Sequence, residues 1–315
     1  MKKRVIILLG PTGVGKTDIS IRLAELLNGE IISSDSMQIY RYMDLGTAKP
    51  SLEQRSRITH HMIDIANPWE YFSTGSYIEK VRLVLEDVIN RGKIPIIVGG
   101  TGLYLRAMTE GIFEGPDADW NLRRKLLAEE KREIGKLYNI LKHVDPDAAS
   151  RISSNDLRRI VRALEVYFLG KISISELQKS GSRALPYDFF KIGITRERKE
   201  LYKIIESRVD RMIEAGLIQE VRYVLSLIKI NSNTDSPLPA LQAIGYKEIA
   251  NYLADLYSMD EAIRLIKKRT KNYAKRQFTW FRKEKDIRWF DISERYNFED
   301  IAFEIFKFLS ENLQE

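Results

Sequence analysis

The segment from residue 10 to residue 17 constrains this chain more than any other. It has the form G-x-x-x-x-G-K-T and directly follows the apolar run Val5–Leu9, so a predicted strand leads into a glycine-rich loop. Main-chain N–H groups of such a loop surround phosphate oxygens, the lysine adds a positive charge, and the threonine hydroxyl can ligate Mg²⁺. The following helix, predicted over Ile19–Leu27, points its positive N-terminal end at the same place. The motif predicts a phosphate site formed by Gly10, Pro11, Thr12, Gly13, Val14, Gly15, Lys16 and Thr17, with Thr17 as a metal ligand.

Composition narrows the class of protein. The chain has 315 residues, 44% of them hydrophobic, which is enough for one large domain or two modest ones. It has no cysteine and three histidines, which excludes disulfides and thiolate ligands and argues against a structural zinc site. The first apolar run is five residues long, too short for a signal peptide or a membrane span. We therefore expect a cytoplasmic protein without a membrane partner.

Positive charge is concentrated near the C-terminus. The chain has a net charge of +7, whereas residues 264–288 contain eleven Lys and Arg against two acids. Tyr273, Phe278, Trp280 and Phe281 are interleaved with these charges. Basic clusters with aromatic residues are typical of surfaces that neutralise phosphates and stack on bases, so we favour a nucleic-acid partner. A solvated basic helix with its aromatic residues in the core is the alternative.

Short β-branched runs alternate with helical patterns along the chain. This alternation predicts an α/β fold with a P-loop NTPase-like parallel sheet flanked by helices. After the last-but-one strand we expect two or more long helices, one over about Arg198–Glu214 that stops near Gly216, and a break over 231–239. The predicted strands are Arg4–Leu9, Glu30–Ser34, Ile94–Val98, Phe189–Ile194 and Ile287–Phe290.

A charged, helical stretch without a convincing strand interrupts this pattern. We interpret residues 116–186 as a helical insertion domain, and residues 1–115 and 187–315 as the α/β core with basic C-terminal helices. Within the insert, Asp145 and the segment Ser153–Asp156 have the short polar side chains that cap helix N-termini.

The strand ends carry the candidate chemistry. A hydrolytic NTPase normally has a metal-binding Asp after a second strand, but Ile94–Val98 runs into Gly99-Gly100-Thr101-Gly102 instead. An acid, Asp35, follows a different strand, and the carboxyl ends of parallel strands converge beside such a loop. Asp35 is therefore a candidate general base; a helix-capping or water-mediated metal role is the alternative.

Several further motifs occur in one order along the chain. They are D-S-M-Q-I-Y from Asp35, G-T-A-K-P from Gly46, H-H-M-I-D from His60, G-G-T-G-L-Y from Gly99, R-A-L-E-V from Arg162 and A-K-R-Q from Ala274. Together with the glycine-rich loop they resemble the bacterial tRNA dimethylallyltransferases, also called tRNA isopentenyltransferases, over nearly the whole chain.

The resemblance implies an activity and the residues that perform it. It implies transfer of a dimethylallyl group from dimethylallyl diphosphate to N6 of the adenosine immediately 3′ of the tRNA anticodon, with Mg²⁺, by a monomer. It further implies that Asp35 is the catalytic base and that Thr101 and Arg208 contact the diphosphate. The tRNA contacts it implies are Asp35, Ser36, Met37 and Gln38 at the base, and Arg158, Arg159, Ile160, Val161 and Arg162 in the insert.

The basic C-terminal segment, with Lys275 and Arg276, is expected to contact tRNA phosphates. Three alternatives stay open. A small-molecule kinase would use ATP on the same loop, but it leaves the basic segment unexplained. A prenyltransferase of free adenine nucleotides needs no tRNA-sized surface, and a noncatalytic RNA-binding protein leaves Lys16, Thr17 and Asp35 unexplained.

Overall fold

A computed structural model describes residues 3–231 and 238–312. Its sheet has six strands, all parallel, in the order β3-β2-β4-β1-β5-β6. The predicted α/β fold with a parallel sheet is confirmed. The strands are β1 (Lys3–Leu9), β2 (Gly29–Ser34), β3 (His60–His61), β4 (Ile94–Gly99), β5 (Tyr187–Thr195) and β6 (Ile287–Asp291).

All five predicted strands are present, each with small extensions. The sixth, β3, was not predicted, because two residues are too few to produce a periodic pattern. Strand β4 lies between β1 and β2, so the strand that leads into the glycine-rich loop and the strand that leads to Asp35 are separated by one neighbour.

Helices connect the strands. The predicted helices over 19–27 and 198–214 are confirmed, the first with three further residues at its start. The described helices are α1 (Lys16–Leu27), α2 (Leu52–Arg57), α3 (Thr74–Asn90), α4 (Gly102–Thr109), α5 (Trp120–Arg132), α6 (Lys136–Val144), α7 (Pro146–Arg151), α8 (Leu157–Gly170), α9 (Ile174–Gly181), α10 (Arg198–Glu214), α11 (Leu217–Asn231), a short 3-10 helix (Pro239–Gln242), α12 (Tyr246–Leu253), α13 (Met259–Phe281) and α14 (Phe298–Asn312).

Local sequence signals account for several helix ends. Asp145 and Asp156 accept main-chain N–H bonds from Ala148 and Arg159, so both predicted helix starts in the insert are confirmed. Gly216 has φ +104° directly after α10, as expected of a residue that ends a helix. The predicted break over 231–239 falls mostly on residues 232–237, which lie outside the described residues.

The chain divides into two compact units. Among the described residues, the α/β unit contains 3–105, 186–231 and 238–312, and the helical unit contains 106–185. The helical unit begins at residue 106, whereas sequence analysis placed the start of the insert at 116. Within it, residues 106–115 pair with the end of the insert: Ile112 bridges to Arg183, and the Leu185 N–H donates to the Met108 carbonyl at 2.9 Å.

The core of the α/β unit follows from strand alternation. Ile6 and Leu8 of β1 pack with Ile19 and Leu23 of α1 and with Ile305 of α14 in one apolar cluster. Val5, Ile7 and Leu9 point to the opposite face of the sheet and are equally buried. A strand buried on both faces is typical of a parallel sheet, so the continuous apolar run of β1 is explained.

The helical unit has an apolar cluster of its own, formed by α5 to α8. Leu126, Leu137, Leu141, Ile160 and Leu164 lie in it. In the described parts of both units, we find no helix long and apolar enough to cross a membrane.

Candidate active site

The glycine-rich loop links β1 to α1. Gly13 and Gly15 have φ of +85° and +105°, values that other residues rarely adopt. A Cβ on Gly15 would also lie 2.6 Å from the Phe298 ring, so the position admits only glycine. Gly15 is the N-cap of α1 and provides no side-chain cap, which leaves the first-turn N–H groups of this helix available to an anion.

Lys16 folds back onto the loop that carries it. Its ammonium group donates to the main-chain carbonyls of Gly10 and Pro11 at 2.9 and 2.8 Å. Burial, followed by the nearby positive charge of Arg208, lowers the pKa of Lys16 to about 7. Arg208 of α10 lies at the same loop, 3.5 Å from the Thr12 hydroxyl. Two cationic side chains therefore meet where a phosphate group would neutralise them.

Asp35 follows the carboxyl end of β2, as predicted. Its Oδ1 accepts main-chain N–H bonds from Met37 at 2.8 Å and Gln38 at 3.3 Å, which form a tight turn. The N–H groups of Met37 and Gln38 thus share one carboxylate oxygen, Oδ1. The negative charge of Asp35 raises the pKa of Lys16 against the larger effects that lower it, so the two groups interact electrostatically.

Thr101 follows the carboxyl end of β4 and is tied to the segment that contains Asp35. Its hydroxyl accepts the Ser36 N–H at 3.1 Å, and its own N–H donates to the Ser34 carbonyl at 3.3 Å. Burial raises the pKa of Tyr273 of α13, and the Thr101 side chain lowers it by a smaller amount, so Tyr273 lies close to Thr101. Within the α/β unit, the fold brings together the predicted site residues of the glycine-rich loop, Asp35, Thr101 and Arg208.

Gln38 holds the segment after Asp35 in place. Its carbonyl oxygen accepts the Ser33 hydroxyl at 3.0 Å, and its amide donates to the carbonyls of Thr47 and Ala48 at 3.4 and 3.2 Å. Met37 is partly buried against a second apolar cluster of the unit. Asp35, Ser36 and Gln38 are all half-buried. This segment therefore lines the site and is also held by its neighbours.

Glu220, which sequence analysis did not select, supports the loop at residues 44–46. The Glu220 carboxylate on α11 accepts the successive N–H groups of Asp44, Leu45 and Gly46 at 2.8 to 3.1 Å, and it also accepts the Tyr246 hydroxyl. Nothing in the local sequence around Glu220 could reveal this, because Asp44, Leu45 and Gly46 are about 175 positions away and Tyr246 is 26 away.

Lys49 fixes the other end of the same loop. Its side chain is fully buried and donates to the Tyr40 carbonyl at 2.8 Å and to Asp44 and Asp64 at 2.6 Å. A buried lysine is stabilised only by such pairing, which explains the lysine in the G-T-A-K-P motif.

Several basic side chains of α13 form ion pairs with acids on the neighbouring helices α10 and α12. Lys267 pairs with Asp210 at 2.6 Å, Lys271 with Glu206 at 2.5 Å, and Arg269 with the buried Glu248. Lys275 and Arg276 are exposed. The alternative of a structural role thus applies to part of the charge, while the exposed pair stays available to a partner.

The arginines predicted to contact tRNA lie in the helical unit, on α8. Arg158 and Arg159 are exposed, whereas Ile160 and Val161 are buried in the apolar cluster of that unit. Arg162 pairs with the fully buried Glu165 at 2.5 Å. Arg123 shares Glu165 through two bonds of 2.7 and 2.8 Å, so this part of α8 has a structural role.

The two adjacent histidines lie in the short strand β3. His60 and His61 form β3, and the His61 ring contacts Glu30 at 2.7 Å. Bonds from Arg91 are the largest influence on this buried carboxylate and lower the pKa of Glu30 to about 2.

The residues at the loop fit a magnesium ion held through a phosphorylated ligand. No group of three or more His, Cys, Asp or Glu side chains among the described residues forms a metal cage. Mg²⁺ prefers oxygen ligands and keeps several waters, so one hydroxyl, from Thr17, together with diphosphate oxygens is a suitable ligand set.

The fold and the loop together define the class of protein. A parallel sheet whose first strand leads through G-x-x-x-x-G-K-T into a helix is the P-loop NTPase-like α/β fold, here with a base candidate on another strand end and no acid after β4. The IPP transferase family model matches residues 38–284, and the chain belongs to this family, the tRNA dimethylallyltransferases.

Individual relatives agree with this assignment. The chain is 69% identical to a tRNA dimethylallyltransferase of Thermodesulfovibrio yellowstonii over the full length of both proteins. It is similar to the full-length tRNA isopentenylpyrophosphate transferase of Bacillus halodurans, with 39% identity, a TM-score of 0.73 and coverage of 100% of this chain and 97% of the other. A eukaryotic dimethylallyltransferase acting on tRNA gives 31% identity and a TM-score of 0.82, covering 99% of this chain and 79% of that one.

The family resemblance inferred from the motifs is confirmed, and the chain is an enzyme of the prenyltransferase class. The small-molecule kinase alternative is excluded by the same comparisons.

Proposed function

We propose that this chain transfers the dimethylallyl group of dimethylallyl diphosphate to N6 of the adenosine immediately 3′ of a tRNA anticodon. The allylic C–O bond breaks, a C–N bond forms, diphosphate leaves, and one N6 proton is removed. The observation that carries this proposal is the meeting of the glycine-rich loop, Arg208, Thr101 and Asp35 at the carboxyl ends of β1, β2 and β4.

The loop side of the site is suited to the leaving group. As the C–O bond breaks, negative charge grows on the diphosphate, so donors aimed at it stabilise the transition state more than the ground state. Lys16 would exchange its bonds to the Gly10 and Pro11 carbonyls for phosphate oxygens. Arg208, Thr101 and the first-turn N–H groups of α1 would complete the set.

Mg²⁺ would be held by the Thr17 hydroxyl and by the diphosphate, and when bound it adds positive charge at the leaving group.

Asp35 is suited to the acceptor side. The lone pair of an adenine amine is delocalised, but its N–H becomes acidic as the new C–N bond forms, so an ordinary carboxylate can take that proton. Because Oδ1 is occupied by the turn at Met37 and Gln38, we assign Oδ2 as the proton acceptor. The adenine must leave its stack to reach this position, at a cost of about a few kcal/mol.

Each unit offers its own surface for tRNA. In the α/β unit, the exposed Lys275 and Arg276 of α13 would contact phosphates. In the helical unit, Arg158 and Arg159 of α8 are exposed in the same way. Anticodon loops present splayed single-stranded bases, which proteins read by stacking and edge contacts. A tRNA substrate would place the activity in the cytoplasm, and we propose that the enzyme acts as a monomer.

The test is a transfer assay. The purified protein is incubated with unmodified tRNA, Mg²⁺ and labelled dimethylallyl diphosphate, and the RNA is then digested to nucleosides. We expect label on one adenosine, the one 3′ of the anticodon.

A matched tRNA with guanosine at that position should remain unlabelled, because it lacks the N6 amine. Label on free adenine nucleotides but not on tRNA, or no label on either, would contradict the proposal.

A further inference from the structure

Gln277 is the buried polar residue of α13 that contacts the glycine-rich loop. Only 6% of its surface is exposed, although it follows the exposed Lys275 and Arg276 directly. Its carbonyl oxygen accepts the Thr12 N–H at 2.9 Å, and its amide donates to the Gly100 carbonyl at 3.0 Å. One side chain thus bridges the loop after β1 and the loop after β4.

The packing around this bridge is tight. A Cβ on Gly100 would lie 2.0 Å from the Gln277 amide nitrogen, so glycine is required there for the bridge to form. A Cβ on Gly102 would lie 2.3 Å from the Trp280 ring. Tyr273, Gln277 and Trp280 are spaced by four and three residues, so one face of α13 rests on the Gly100–Gly102 loop.

The two hydrogen bonds of Gln277 connect it to two different parts of the proposed site. Thr12 belongs to the proposed diphosphate loop, and its hydroxyl lies 3.5 Å from the Arg208 guanidinium. Gly100 directly precedes Thr101, whose hydroxyl accepts the Ser36 N–H. Gln277 therefore sets the distance between the two sides of the proposed diphosphate site, and a glutamine is long enough to span it while keeping both hydrogen bonds.

We propose that Gln277 is a positioning residue that holds the diphosphate loop in register with Thr101 and transmits tRNA binding on α13 to the affinity for the donor. The proposal rests on the function proposed above. A helix moves as a rigid element, so RNA phosphates that fix Lys275 and Arg276 also fix the neighbouring Gln277. The coupling is reciprocal: each substrate raises the affinity for the other by the same factor.

The test uses Gln277→Met, which keeps the volume of the side chain and removes both hydrogen bonds. A non-reactive thio analogue of dimethylallyl diphosphate is titrated into wild-type and variant protein, with and without tRNA. We expect the variant to bind the analogue about tenfold more weakly, the loss expected for two hydrogen bonds. We also expect tRNA to raise the analogue affinity of the wild type but not that of the variant.

The matched control is Thr279→Val on the same helix. Thr279 is exposed, and its hydroxyl donates to the Lys275 carbonyl of its own helix. It should leave both the analogue affinity and its dependence on tRNA unchanged. If Gln277→Met melts well below wild type, Gln277→Asn replaces it, because the shorter amide stays polar but cannot span both partners.

Two results would overturn the proposal: an unchanged analogue affinity in the variant, or an equal effect of tRNA in variant and wild type. A general loss of structure would weaken tRNA binding in the absence of donor as well, which positioning of the donor loop does not. Analogue binding is measured without turnover. A failure of the wild-type transfer assay would therefore count against the proposed function, whereas the binding comparison between wild type and Gln277→Met would still test the role of Gln277.

Discussion

The Ser36 main-chain N–H donates a hydrogen bond of 3.1 Å to the Thr101 hydroxyl. Ser36 follows the candidate base, and Thr101 follows β4, so this bond joins the segment that would hold the acceptor to a residue that would hold the donor. Reactions between two bound substrates gain rate when both are held in line, by up to about 7–11 kcal/mol in the ideal limit. The bond between Ser36 and Thr101 therefore couples the positions of the two halves of the site.

Replacing Asp35 by asparagine should separate chemistry from binding. Asparagine keeps an oxygen that can accept the N–H groups of Met37 and Gln38, so the turn is retained. It cannot accept the N6 proton, and we expect turnover to fall by about 10²–10⁴-fold. Single-turnover transfer and equilibrium binding of each substrate measure the two effects. Turnover near that of the wild type would remove Asp35 from the role of base.

Donor binding should take up a proton above neutral pH. Burial and Arg208 lower the pKa of Lys16 to about 7 in the free protein, so below pH 7 the ammonium is already charged. A bound diphosphate favours the charged form, so binding at pH 8 must add a proton to Lys16, and affinity weakens as pH rises through and above 7. Calorimetry in two buffers of different ionisation enthalpy counts the protons taken up.

Lys16→Met is the control for this measurement, since it removes the titrating group. We expect it to take up fewer protons at pH 8 than wild type, by up to about one, and to lose about 10²–10³ in turnover, as for other preorganised donors. Equal uptake by both proteins would assign the proton to another group.

Glu220 should stabilise the loop that precedes Lys49 and slow its hydrogen exchange. Glu220→Ala leaves the N–H groups of Asp44, Leu45 and Gly46 and the Tyr246 hydroxyl without their acceptor. Of these four donors, the Tyr246 hydroxyl belongs to a fully buried residue, and a buried donor without a partner costs about 1–3 kcal/mol. We therefore expect lower thermal stability, and faster hydrogen exchange across residues 43–50, where the N–H bonds are lost. The control is Lys229→Ala, an exposed position on the same helix. Unchanged exchange in that peptide would show that Glu220 is dispensable there.

The exposed arginines of α8 should contribute to the salt dependence of tRNA binding. Arg158→Ala with Arg159→Ala removes two charges that lie on the surface of the helical unit. Fewer counterions are then released, so the plot of log affinity against log salt becomes less steep by about 0.7–0.9 per lost phosphate contact. Filter binding at four salt concentrations measures the slope, and an unchanged slope would move the interface elsewhere.

Arg162→Ala is the contrasting variant on the same helix. Arg162 pairs with the fully buried Glu165, so its loss should lower the stability of the helical unit rather than act through phosphate contacts. Thermal denaturation measures this difference. A change in salt slope with no change in melting temperature would give Arg162 the role of a phosphate contact.

Local patterns predicted five of the six described strands and, among the helices, α1 and α10 with approximate bounds. The strand and glycine spacing around Lys16 predicted the glycine-rich loop between β1 and α1, and the bounds 198–214 of α10 were predicted as they are found. The strand β3 and the start of the helical unit at 106 were not predicted. Two residues produce no period. The first residues of the helical unit join it through pairing such as that of Ile112 with Arg183, which are about seventy positions apart and so share no local window.

The sequence also did not show which basic residues are paired with acids inside the protein. Eleven basic residues between 264 and 288 indicated a phosphate-binding surface, but Lys267, Arg269 and Lys271 are paired with acids of α10 and α12. The same pairing occurs at Arg162. A sequence gives the charge of a residue, whereas its availability depends on partners that are distant along the chain.

By itself, the sequence determined the glycine-rich loop, the parallel α/β fold, the family and the candidate base, because each depends on residue types at short, fixed spacings. Only the tertiary structure decided how these parts are held together: Thr101 on Ser36, Gln277 between Thr12 and Gly100, and Glu220 beneath residues 44–46. The physical reason is that hydrogen bonds of this kind form between groups that folding alone brings within about 3 Å.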